Sequence, residues 1–197
     1  MKKSFVLFCL IIIQNIFSQN TISKRLYEIS FCGKPQTVKL VEYPNGTVEG
    51  FLKIELTEEK ANGKESEIIK KIKFNDTITR KLLADLKSGG IETLKQCNED
   101  VECEKQGFLD GDAISIKIIS NKVIKEFYFS EIYPESQNNG KLEEIELRRK
   151  VQILATIIDK EINLEKQFSE TIKGLKAGTY CYWSGITKIC RKHKYIR

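Results

Sequence analysis

"QTVKLVEYPNGTVEGFLKIEL", Gln36–Leu56, is the stretch that decides the fold class. Two runs rich in Val, Leu and Ile flank Asn45-Gly46, the strongest short-range signal for a tight hairpin. The spacing predicts strands at 36–43 and 47–56 joined by a type I′ turn, in which both central residues take positive φ. Ahead of it, "RLYEISF" (Arg25–Phe31) reads as another strand. Behind it, after the polar stretch "TEEKANGKES", "EIIKKIKF" (Glu67–Phe74) reads as a fourth.

Helical signals then take over. "NDTITRKLLADLKSGG" offers Asn75 or Asp76 as an N-cap, Ile78, Leu82 and Leu86 at four-residue spacing, and Gly89-Gly90 as a stop. Further on, Ile114, Ile116 and Ile118 alternate with polar neighbours, which predicts a second hairpin from 113–120 and 123–129 turning at Asn121-Lys122. From Lys141 to Lys173 there is no glycine or proline, and apolar residues recur at helical spacing from Leu147 to Ile172. Thirty-odd residues is long for a globular helix, so this one either breaks near Asn163 or projects beyond the sheet. Strands and helices segregate along the chain, which points to an α+β fold and away from alternating βαβ units. The expected architecture is an antiparallel β-sheet built from hairpins, packed by one short and one long helix.

The two ends of the chain set its context. "MKKSFVLFCLIIIQNIFSQN" has two lysines, an apolar run from Phe5 to Ile13, and small or polar residues near Ser18, the three-part pattern of a secretory signal peptide. The run is shorter than the roughly 20 apolar residues a membrane-spanning helix needs. Residues 1–18 are therefore expected to be cleaved, leaving 19–197 as one secreted or periplasmic α+β domain with no transmembrane segment. Export implies an oxidising compartment, where paired cysteines form disulfides rather than zinc sites. Sequence proximity pairs Cys97 with Cys103 and Cys181 with Cys190, leaving Cys32 as a candidate free thiol. Loops this short contribute about 2 to 3 kcal/mol each by the chain-entropy relation, so they staple local structure.

"GTYCYWSGITKICRKHKYIR", Gly178–Arg197, carries the only tryptophan and the only histidine. A two-residue type II′ turn at Gly185-Ile186 would set Ser184 opposite Thr187, Trp183 opposite Lys188, Tyr182 opposite Ile189, and Cys181 opposite Cys190. That register places the cysteines on a close, non-hydrogen-bonded pair and predicts a disulfide-stapled hairpin. It also sets Lys188 against the face of Trp183, within cation–π reach.

Charge is uneven. The chain carries a net +6, yet from Thr171 onward there are seven basic residues and no acid, so a mildly acidic body bears a strongly basic end. Such asymmetry can serve an anionic partner, with Lys188, Arg191, Lys192, Lys194 and Arg197 as candidate contacts.

Most catalytic chemistry is absent. One histidine rules out multi-histidine metal sites within a chain, and no GxSxG, P-loop or GxGxxG motif occurs. The acidic loop 98–112 gathers Glu99, Asp100, Glu102, Asp110 and Asp112. With Asp110 as the first position of a calcium loop, Asn121 stands where the bidentate glutamate is needed, so no metal is expected. No cofactor and no catalytic residue is assigned. The sequence points to a non-enzymatic binding or envelope-associated module that contacts an anionic surface or an acidic protein, with nucleic acid disfavoured by export. The alternative is a secreted hydrolase using the carboxylates of loop 98–112.

Overall fold

The computed structural model describes residues 25–106, 111–121 and 123–194. The expected signal peptide, Asp110 and Arg197 lie outside the described residues. Among the described residues eight strands form one antiparallel sheet: β1 (Arg25–Ser30), β2 (Gln36–Glu42), β3 (Val48–Glu59), β4 (Glu65–Lys73), β5 (Ala113–Ser120), β6 (Val123–Ser130), β7 (Gly178–Ser184) and β8 (Thr187–His193). The order runs β6-β5-β1-β2-β3-β7-β8, with β4 on the other edge of β3. The helices are α1 (Asp76–Ser88), α2 (Val101–Lys105), α3 (Glu146–Ile162) and α4 (Leu164–Lys173). This is the α+β architecture the hairpins and helical spacing predict.

The β2–β3 connection corrects the expected turn type. Tyr43 N–H donates to Thr47 O (2.9 Å) and Gly46 N–H to Tyr43 O (3.0 Å), and only Gly46, at φ 80°, has positive φ. The turn is therefore centred on Pro44-Asn45 and closed by a left-handed glycine, the three-residue loop with a bulge. Proline explains the shift, because its ring holds φ near −65°, which suits the first central position of a type I turn. The same device recurs one hairpin later. Lys60 N–H donates to Lys64 O, Gly63 N–H to Lys60 O, and Gly63 sits at φ 74°. "KANGK" is thus a second Asn-Gly hairpin that extends β3 to Glu59 and starts β4 at Glu65, two residues before the predicted strand.

Asn75 caps α1 by accepting a hydrogen bond from Ile78 N–H at 2.8 Å, and Leu82, Leu83 and Leu86 are buried. The long helix does break at Asn163, which takes φ 51° and caps α4 through Lys166 N–H at 2.9 Å. Its start is later than the lack of glycine and proline suggests. Residues 141–145 form a strap fastened by α3 side chains. Gln152 donates to Lys141 O and accepts from Glu143 N–H, while Arg149 donates to Glu143 O and Glu144 O.

Tyr27, Ile29, Val38, Leu40, Leu52, Ile54, Ile114, Ile116 and Phe129 turn to the helix side and form a core with Leu82, Leu86, Val151, Leu154 and Ile158. The opposite face is laced with charge. Glu28 pairs with Lys39 (3.5 Å), Lys117 with Glu126 (2.5 Å) and Lys53 with Glu55 (2.8 Å), and Lys71 lies over the Phe51 ring at 5.6 Å. Pairs this exposed add little to stability and chiefly keep that face in water.

No helix among the described residues is long and apolar enough to cross a membrane.

Candidate functional site: the C-terminal hairpin and its surroundings

β7 and β8 pair in the register counted from the Gly185-Ile186 turn: Ser184 with Thr187, Trp183 with Lys188, Tyr182 with Ile189 and Cys181 with Cys190. Gly185 takes φ 55°, and Ile186 does not join it at positive φ, as a type II′ turn requires. Cys181 and Cys190 are joined by a disulfide with Cα atoms 4.0 Å apart, the close kind of cross-strand pair. The turn is buttressed from outside the hairpin, since Ser184 Oγ donates to Asp112 Oδ2.

The hairpin joins the body by an unusual seam. Along one edge of β3, β2 pairs with Val48–Ile54, Glu55 N–H donates to Pro35 O, and β7 takes over at Thr57–Glu59. On the helix side Tyr182 meets the Phe168 ring edge-on at 5.6 Å between centroids, and Tyr180 donates to Lys176 O at 2.8 Å.

The basic residues named from sequence divide into two groups. Lys188 is engaged within the molecule, its ammonium 2.5 Å from Glu59 Oε1 and 2.6 Å from Glu65 Oε1, and those carboxylates raise its pKa. It therefore points along the sheet to the acids instead of completing the cation–π contact expected with Trp183. Arg191 lies over the Phe168 ring at 5.6 Å. Lys192 and Lys194 are exposed, and neither has an ion-pair partner among the described residues. The pairing of Gly178 with His193 brings Lys176 to the same open end of the hairpin, and Lys173 ends α4 just before it.

Among the described residues, the carboxylates of the acidic loop form no group of three placed to hold a metal ion. Glu99 accepts from Gln96 N–H, Asp100 caps α2 by accepting from the N–H groups of Glu102 and Cys103, and Asp112 holds Ser184. A disulfide joins Cys97 to Cys103 across this turn. Glu99, Asp100 and Asp112 are thus each given to a backbone or hydroxyl donor, whereas Glu102 lines a separate open cavity with Glu131, Glu143, Lys105 and Lys141. Glu59, Cys181 and Cys190 approach one another closely enough to suggest metal ligation, but both sulfurs are spent in the disulfide.

Cys32 is the free cysteine of the described residues and is 2 % exposed. Burial pushes its thiol pKa up, against a lowering hydrogen bond from Tyr133. A thiol held protonated is a poor nucleophile, so Cys32 belongs to packing rather than covalent chemistry. It should react with a thiol reagent only after denaturation. Tyr27 is raised by burial and by its hydrogen bond to Glu92, and Tyr133 by its hydrogen bond to Cys32.

These three shifts share a sign. A group with a raised folded-state pKa contributes stability that is complete below its unfolded value, ordinarily 9.0 for the thiol and 10.0 for the phenols, and is lost as pH rises through the folded value. The urea midpoint should therefore stay level up to about pH 8.5 and fall above it, with Cys32→Ala and Tyr27→Phe flattening the decline. A midpoint unchanged to about pH 11 would refute this reading.

Sequence reasoning missed the groove that the β2/β7 seam leaves on the charged face. It is lined by Pro35, Glu55, Leu56, Thr57, Glu67, Tyr182 and Trp183, encloses about 300 Å³, and has the indole of Trp183 as its exposed wall. The only sequence-level hint was a tryptophan two residues after a stapled cysteine. Compared with known proteins, the chain matches no protein-family model, no curated protein and no solved structure.

Proposed function

We propose that the protein is a non-enzymatic binding module of an extracytoplasmic compartment, engaging an anionic partner through the open end of its C-terminal hairpin. The observation that carries this reading is the convergence of Lys176, Arg191, Lys192 and Lys194 at one end of β7–β8, with no carboxylate in salt-bridge contact with them among the described residues. Unneutralised basic groups on a rigid stapled frame attract anions at long range and lose that attraction as salt rises. The two disulfides fit an oxidising location.

Lys188 provides an internal control, because its charge is already committed to Glu59 and Glu65. The purified protein should bind immobilised heparin and vesicles rich in phosphatidylglycerol, and salt should release it. Substituting Lys176, Arg191, Lys192 and Lys194 by glutamine should weaken binding at least tenfold at physiological salt, whereas Lys188→Gln should change it less than twofold. Binding that ignores both salt and the fourfold substitution would sink the proposal.

A further inference from the structure

The groove beside Trp183 has a chemistry opposite to that of the basic end. It exists because β3 changes neighbours: Pro35, which has no N–H to give, ends the β2 side, and Tyr182-Trp183 begins the β7 side. Trp183 is 63 % exposed, an unusual state for the one tryptophan of a chain, and it lines the opening. Glu55 and Glu67 line the same space. Glu55 is shared with Lys53, but Glu67 has no ion-pair partner among the described residues. Just outside, Glu59 and Glu65 hold a single ammonium, that of Lys188, between them. Acids thus outnumber bases at this corner, and Lys188 already demonstrates, one residue pair away, how such a corner takes an ammonium.

An exposed indole beside an unpaired carboxylate is the combination that recognises organic cations: the ring face attracts the charge and tolerates the attached methylenes, and the carboxylate fixes the head group. A volume of about 300 Å³ is at the small end of ligand sites and suits one ammonium-bearing chain. We propose that this groove binds an organic ammonium group, presented either as a lysine side chain on a partner protein or as a free polyamine. The site does not depend on the anion-binding reading and lies at the turn end of the hairpin, away from Lys192 and Lys194.

The chain's single tryptophan makes the test direct, since intrinsic fluorescence reports on this groove. Titration with a tetralysine peptide and, separately, with spermidine should give a saturable change that potassium chloride at equal ionic strength does not reproduce. Whichever of the two saturates at lower concentration identifies the source. Glu67→Gln should weaken binding by about fivefold, and Trp183→Ala, followed by calorimetry, should abolish it while circular dichroism stays unchanged. Replacing Lys176, Lys192 and Lys194 should not weaken it. The proposal is overturned if neither amine gives a saturable signal, if Glu67→Gln binds as tightly as the parent, or if neutral cellobiose saturates the groove instead.

Discussion

Replacing Glu143 by alanine is expected to destabilise the protein by about 3 kcal/mol, among the largest losses any single polar substitution should cause. Arg148 is 2 % exposed, donates from Nε to Glu143 Oε2 at 2.9 Å, and donates from Nη1 to Ser130 O at 2.9 Å. Removing the carboxylate takes the Glu143 charge away from a buried guanidinium that cannot be deprotonated, so part of the desolvation already suffered is no longer offset. Arg148→Met should cost less, chiefly through the unsatisfied carbonyl of Ser130, at about 1 to 3 kcal/mol. The double variant Glu143→Leu/Arg148→Met should regain part of the loss, giving a coupling energy above about 1 kcal/mol in a double-mutant cycle. Because the pair is buried, added salt should leave the coupling nearly unchanged. Single variants that each cost less than about 1 kcal/mol would mean that the strap 141–145 is not fastened by this charge.

The second large effect separates the two faces of the sheet. Leu52 in β3 is 0 % exposed at the centre of the core, and Leu52→Ala should cost about 3 kcal/mol through lost transfer energy and the cavity left behind. Ile69 in the adjacent β4 is 50 % exposed on the charged face, and Ile69→Ala should stay within about 0.5 kcal/mol. Urea titration with an unchanged slope checks both. Equal effects at the two positions would contradict the inward and outward assignment of these strands.

How much of this was legible from sequence follows the distance over which each feature acts. The cap at Asn75, the break at Asn163 and the hairpin register from Gly185 all depend on residues a few positions apart, and they were readable. Pro44 shows where local reading slipped: Asn-Gly announced a turn, but the proline before it chose the type. The start of α3 was misplaced because residues 141–145 suit a helix on composition, while the side chains of Asn138, Arg148, Arg149 and Gln152 hold them out of it. The groove was invisible because Pro35, Glu67 and Trp183 meet only through the pairing of β3 with both β2 and β7, which no local pattern encodes. Lys188 was named for an external anion because its partners, Glu59 and Glu65, lie 129 and 123 positions earlier.

That seam also has a kinetic meaning. β7 touches β3 through the three pairs Thr57–Cys181, Glu58–Tyr180 and Glu59–Thr179, whereas within the hairpin all seven pairs are local and covalently closed. A hairpin forms in microseconds, but joining it to a strand so far back in the chain must first overcome the entropy of closing a very long loop. The hairpin is therefore expected to form as a local unit before it docks, and its release would draw Tyr182 away from Phe168 and out of the core with it.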